Sequence, residues 1–161
     1  MRILIDTREQ RKLLFGCTTE IRCLKFGDYG CLFSETYQYP LVFERKNLAD
    51  LFGSLTQGYD RLRKCFMRAE KANYKLIIAI EGTREKVLKG YAYSARDPES
   101  IIRQLETIRT KYNVEHIFFP SRTNMANYIH DVFYEAYEKY LEENKDTVGS
   151  QRGDIGASSL A

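Results

Sequence analysis

Ligands for a soft metal are scarce in these 161 residues: two histidines, and four cysteines of which no two stand in a CxxC spacing. A zinc framework needs closely spaced Cys and His pairs. Cys17, Cys23, Cys31 and Cys65 therefore read as buried or free thiols in a reducing compartment. Long apolar runs are missing too. Met1 to Ile5 is interrupted by Arg2 and closed by Asp6, too early for a signal peptide. Leu76 to Ile80 falls far short of the roughly 20 residues of a bilayer span. Nothing indicates export or a membrane, and the expectation is an intracellular, cytoplasmic protein (nuclear in a eukaryote). There is no internal repeat and no sign of a second domain.

At 43% hydrophobic and 29% charged residues the composition is that of an ordinary globular chain. Its length suits one domain, able to bury about two thirds of its unfolded surface. The net charge of +3 is too small to imply a polyanionic partner, but the charges are unevenly placed. Arg45 to Lys89 holds eleven Lys or Arg against five acids, whereas Asp131 to Asp146 holds two Lys against six. A basic middle and an acidic end suggest one face for a polyanion and another for solvent or a partner.

"RILID" (2–6) predicts a strand and "TREQRKLLFG" (7–16) a loop or short helix. "EIRCLKF" (20–26) alternates Ile21, Cys23 and Lys25 against Arg22, Leu24 and Phe26, as a half-buried strand would. "YGCLFS" (29–34) and "YPLVFER" (39–45) predict two more strands. From Leu48 to Ala69 apolar residues recur every three or four positions, one face of a helix, with a break near "GSLTQG". "YKLIIAIEG" (74–82) reads as a strand covered on both faces. "DPESIIRQLETIRTKY" (97–112) opens with an Asp97 cap and Pro98 at the first helical position. "VEHIFFP" (114–120) predicts an edge strand. A last helix, about Asn124 to Glu143, should bury Met125, Tyr128, Ile129, Val132, Phe133, Ala136, Tyr137, Tyr140 and Leu141. The expected fold is α/β, a mixed sheet with helices on both faces. It should fill residues 1–144, with 145–161 a disordered polar tail.

Within this order, "FGDYG" (26–30) and "FERK" (43–46) hold the chemistry. Phosphodiester hydrolysis needs a water in line with the leaving oxygen and neutralised phosphate charge. Carboxylates holding divalent cations beside a lysine can provide both. Side chains at i and i+2 of a strand share a face, so Glu44 and Lys46 are presented together. Arg45 points away and offers its backbone carbonyl, while Asp28 closes the site from the adjoining hairpin. The pattern Asp28, Glu44, Lys46 resembles the Asp-x(n)-Glu-x-Lys signature of restriction-endonuclease-like nucleases. Its flanks are more specific: "LIDTRE" upstream, "GDY…ERKNLAD", then "DLFGSLTQG" and "LIIAIEG" downstream. In order and type, from about residue 2 to 140, they resemble the nuclease domain of XPF-type structure-specific endonucleases.

The resemblance implies a restriction-endonuclease-like fold and a Mg²⁺ or Mn²⁺ cofactor held by Asp28, Glu44 and the Arg45 carbonyl. Lys46 would position or activate the water. It makes Asp6 either a further metal carboxylate or a strand-end turn residue. Arg8 and Glu9 would pair with each other or hold a phosphate. Asp50 would support Lys46 or Arg45, or serve as a plain helix-start acid. DNA phosphates are expected on Ser54, Gln57, Arg61, Arg63, Lys64 and Arg68. Tyr91 and Tyr93 would either stack on unpaired bases or pack in a loop. The aromatic stripe of the last helix would serve a homodimer or the core.

Two departures from the family stand out. The stretch between Glu9 and Gly27 is short, and no paired helix-hairpin-helix domain follows, which suits a stand-alone nuclease domain of a phage, mobile element or prokaryote. The expected function is a metal-dependent DNA endonuclease cutting flap, fork or other branched DNA, leaving a 5′-phosphate and a 3′-hydroxyl. Its rivals are a catalytically silent DNA-binding or scaffolding subunit, and a Holliday-junction or nonspecific nuclease.

Overall fold

The computed structural model describes residues 1–145; the tail expected at 145–161 lies outside them from residue 146 onward. Six strands, β1 (Arg2–Asp6), β2 (Thr19–Arg22), β3 (Tyr29–Leu32), β4 (Leu41–Lys46), β5 (Lys75–Glu81) and β6 (Glu115–Phe119), form one sheet. Five helices, α1 (Leu48–Ser54), α2 (Tyr59–Lys71), α3 (Arg84–Leu88), α4 (Pro98–Tyr112) and α5 (Arg122–Glu143), cover it. The spatial order is β2-β1-β3-β4-β5-β6. β3 runs antiparallel to both β1 and β4, and the other neighbours are parallel, so the sheet is mixed.

The two-residue period of the strands decides which helix each side chain meets. On β5, Leu76, Ile78 and Ile80 join one core with Leu51, Phe52, Phe66 and Leu105 from α1, α2 and α4. Ile77 and Ala79 join the opposite core, with Met125, Ile129 and Phe133 of α5. β4 divides likewise: Val42 lies with α1 and α2, whereas Leu41 and Phe43 lie with α5. Helices thus cover both faces, as the sequence predicts. Caps fix the helix starts: Asn47, Thr83, Asp97 and Ser121 each accept a hydrogen bond from a first-turn N–H.

Three expectations need correction. The strand expected at 20–26 ends at Arg22, so the alternation expected through Phe26 is not carried by one strand. Ile21 is 60% exposed and Cys23 is exposed, while Leu24 and Phe26 are buried beyond the strand's end. β2 is an edge strand, and its burial pattern shows no residue fully covered. Leu24 turns inward because its N–H donates to the Asp6 carboxylate at 2.7 Å. On α5, Tyr128 and Leu141 are exposed, not buried. A 22-residue helix spans about 33 Å, against ~23 Å for the seven-residue strand β5, so its C-terminal end with Leu141 outruns the sheet, whereas Tyr128 keeps one edge on Phe43 and Phe119. Finally, α3 was not anticipated; it follows Gly82 and is capped by Thr83. No helix among the described residues is long and apolar enough to cross a membrane.

Candidate active site

Gly27 and Asp28 bring β3 against β4. Gly27 has φ +74°, and a Cβ there would lie 2.8 Å from Val42 Cβ and 3.1 Å from the Phe43 oxygen. Only glycine tolerates both the angle and the approach. The next residue is then pinned by its backbone: the Asp28 N–H donates to the Phe43 oxygen at 2.7 Å, and its carbonyl accepts from Asp6 N at 2.8 Å. Its side chain takes over where the ladder stops, Oδ2 accepting from Arg45 N at 2.7 Å. A carboxylate thus replaces one backbone acceptor of the sheet and is fixed beside the end of β4.

Glu44 and Lys46 share the β4 face that carries Val42. Lys46 Nζ donates to Glu44 Oε1 at 2.8 Å, with both side chains largely covered. Asp28 Oδ1 and Glu44 Oε2 accept no hydrogen bond among the described residues. Burial, then the Glu44 charge, push the Asp28 carboxyl up to about 7, against the opposing pull of the Arg45 N–H. For Lys46 burial acts downward, but the charge and hydrogen bond of Glu44 outweigh it and leave the ammonium above its ordinary value. Two half-satisfied carboxylates facing one covered ammonium leave uncompensated negative charge at the strand end.

Arg45 faces the opposite side. Its guanidinium binds Glu9 in a fork, Nε to Oε2 at 2.9 Å and Nη2 to Oε1 at 3.1 Å, and Nη1 reaches Glu81 Oε2 at 2.6 Å. Arg122, at the first turn of α5, donates to the same Glu81 oxygen at 3.1 Å and to the Arg11 and Lys12 carbonyls. Arg45 and Glu9 are buried. This chain of charges ties the loop after β1, the ends of β4 and β5, and α5 into one frame behind the cleft. It also holds the Arg45 backbone whose N–H orients Asp28.

The expected pairing of Arg8 with Glu9 is absent. Arg8 instead donates to Asp6 through its N–H, Nε and Nη2, and Leu24 N completes the Asp6 shell. These bonds hold the Asp6 carboxyl below its ordinary value despite burial. Asp6 is fully buried and four donors take its oxygens, the geometry of a strand-end turn. Asp50 is exposed; its N–H is capped by Asn47, and its carboxylate bonds neither Lys46 nor Arg45 among the described residues.

A cleft of about 470 Å³ opens over Asp28, Glu44 and Lys46. Arg8, Lys25, Arg61 and Arg68 stand on its walls with Asp50, Ser54 and Cys65. The expected phosphate-contact set therefore divides. Ser54, Arg61 and Arg68 line the cleft, because 61, 65 and 68 fall on one face of α2. Arg63 and Lys64 do not line it, Arg63 standing 3.5 Å from Asp60, and Gln57 faces a neighbouring cavity. Sequence reasoning missed Lys25, Glu81 and Arg122. Glu81 shares its strand parity with Ile77 and Ala79, which places it on the Arg45 side and was readable. Arg122 lies more than a hundred residues from the carbonyls it binds and left no local signal.

No three of His, Cys, Asp and Glu gather as a metal cluster among the described residues. The donor set is two carboxylate oxygens free of other partners, beside a backbone that can add a carbonyl. Hard carboxylate oxygens gathered at the strand end fit a small divalent cation.

A mixed six-stranded sheet covered on both faces, with a Gly-Asp strand start set against a Glu-x-Lys strand end, defines a restriction-endonuclease-like fold. Within that class, the chain belongs to the ERCC4 domain family, whose model matches residues 5–132. Its fold is similar to XPF from Aeropyrum pernix. One structure, a complex with DNA, matches with a TM-score of 0.65 at 22% identity, covering 86% of this chain and 66% of that one. A second structure of the same protein gives 0.67 at 20% identity, covering 97% and 76%. No curated protein matches by sequence.

Proposed function

We propose that this chain is a divalent-metal-dependent DNA endonuclease that cuts branched DNA such as flaps and forks. The observation that carries the reading is the convergence of Asp28 and Glu44 with Lys46 on the floor of a cleft walled by arginines and a lysine. Membership of the ERCC4 domain family supports nuclease chemistry, and a fold partner solved with DNA supports nucleic acid as the ligand.

Asp28, Glu44 and the Arg45 carbonyl would hold Mg²⁺ or Mn²⁺, which when bound supplies Lewis-acid stabilisation of charge on the phosphate. The remaining work falls to the chain's own groups. Arg45 N–H fixes one Asp28 oxygen and leaves the other directed into the cleft. Lys46, held by Glu44 Oε1, presents the remaining protons of its ammonium to a water beside the scissile phosphate and orients it. Arg8, Lys25, Arg61 and Arg68 bind phosphates of either strand by charge, without reading bases.

Cleavage of flap, fork, four-way-junction and linear duplex DNA by wild type and Asp28→Asn tests the reading. Metal-dependent cutting of the branched substrates, lost in the variant, is expected. Equal cutting of all four would remove the preference for branched DNA, and no cutting by wild type would favour a DNA-binding scaffold.

A further inference from the structure

Beside the cleft along α1 lies a second cavity of about 570 Å³, lined by Phe52, Gly53, Gln57, Tyr91, Tyr93 and Arg96 among others. Tyr93 is 89% exposed, the largest exposure of any aromatic ring among the described residues. Its ring is not loose, however. It stands edge-on to Tyr91 at 5.5 Å, and Tyr91 packs in turn on the buried Phe52 of α1 at 6.1 Å. An open aromatic face is thus mounted on two further rings that reach the core.

Arg96, three residues after Tyr93, brings charge to the same cavity. Arg96 Nε donates to Ser100 Oγ at 2.8 Å and Nη2 to Gln104 Oε1 at 3.1 Å. Both acceptors are neutral, and Arg96 makes no ion pair among the described residues, so the guanidinium is oriented while its charge stays uncompensated. A held cation and a supported aromatic ring lining one cavity match one phosphate and one base of a single strand.

Ala49 and Gly53, one turn apart on α1, line both cavities. A Cβ at Gly53 would meet nothing within 4 Å, so the space over α1 is open there. A backbone leaving the cleft across Gly53 would pass directly into the second cavity. We propose that Tyr93 and Arg96 form a subsite for an unpaired nucleotide of single-stranded DNA leaving the cleft: the base stacks on Tyr93 and the phosphate lies against Arg96. The subsite rests on the nuclease reading above and adds to it the means by which a single-stranded arm is told from a duplex.

Fluorescence anisotropy in EDTA tests this, with three labelled DNAs: a blunt duplex, the same duplex with an oligo-dT arm, and the same duplex with an arm of abasic units. Tyr93→Ala should weaken binding of the dT-armed DNA ~10-fold and leave the blunt duplex unchanged. Tyr93→Trp should retain affinity, and the abasic arm should be insensitive to either change. Arg96→Gln should weaken both armed DNAs and spare the blunt one. Unchanged dT-arm binding in Tyr93→Ala, or an equal loss on the blunt duplex, overturns the subsite while leaving the nuclease reading intact. A wild type that binds none of the three overturns both. Tyr93 is too exposed for its truncation to threaten the fold, and a matching thermal melt excludes that cause of any loss.

Discussion

Asp28 combines catalytic geometry with a cost to the metal-free fold. In the native state its carboxyl keeps a proton up to about pH 7, whereas an unfolded aspartate releases it near pH ~4. Between those values the native state binds more protons than the unfolded one, so its stability falls as pH rises. Asp28→Asn removes the charge and keeps an oxygen for Arg45 N. In EDTA it should melt above wild type at pH 8 by ~2–4 °C per kcal/mol relieved, with a smaller gap at pH 5, while cleavage is lost. A melt equal to wild type at both values would mean that Asp28 is not held against its charge. Lys46→Met should lower kcat by ~10²–10⁴-fold, the range of a positioned proton-handling group, with little change in DNA affinity. Arg45→Met removes the partner of the buried Glu9, and thermal melts should show a loss of about 3–5 kcal/mol. These three neighbours on β4 were all legible in the sequence, because strand parity alone separates Glu44 and Lys46 from Arg45. Asp6 was not. Nothing local to "LID" announces that Arg8 and the distant Leu24 will take up its oxygens.

The β3–β4 junction is the element on which the site depends. Its backbone at Gly27 has a positive φ and no room for a Cβ. Gly27→Ala should therefore destabilise the fold by at least ~1–3 kcal/mol in chemical denaturation. It should also depress cleavage in the surviving folded fraction, since Asp28 would be displaced from Arg45 N. The sequence located this Gly-Asp turn, the helix break at "GSLTQG" and the Asp97 start of α4. Turn chemistry and capping act over a few residues, so local reasoning finds them. It failed at β2 and along α5, where the outcome depends on what a neighbouring layer reaches to cover. Alternation in "EIRCLKF" looked like a buried face, yet β2 lies at the sheet's edge and only the residues after it turn inward. The stripe on α5 continued past the end of the sheet, leaving Tyr137 and Tyr140 to pack on Phe33 and Tyr37 instead.

For the molecule as a whole, charge placement governs both acid stability and DNA binding. Hydrogen bonds outweigh burial and hold the Asp6 and Glu9 carboxyls below their ordinary values. Their contribution is complete above the unfolded carboxylate range and disappears as pH falls through the native values, opposite in sign to Asp28. Four cationic side chains on the cleft walls, Arg8, Lys25, Arg61 and Arg68, set the expected salt dependence. Duplex binding should weaken with a log–log slope of roughly −3 to −4, and Arg61→Ala should reduce that slope by about 1. Arg63→Ala should leave it unchanged, because Arg63 stands beside Asp60 and off the cleft. The central claim is that Asp28 and Glu44 together hold the divalent cation. An anomalous-scattering map of crystals soaked in Mn²⁺ tests it most directly. The expected result is a peak between these two carboxylates, absent in Asp28→Asn; a peak elsewhere in the cleft, or none with the crystals intact, would contradict it.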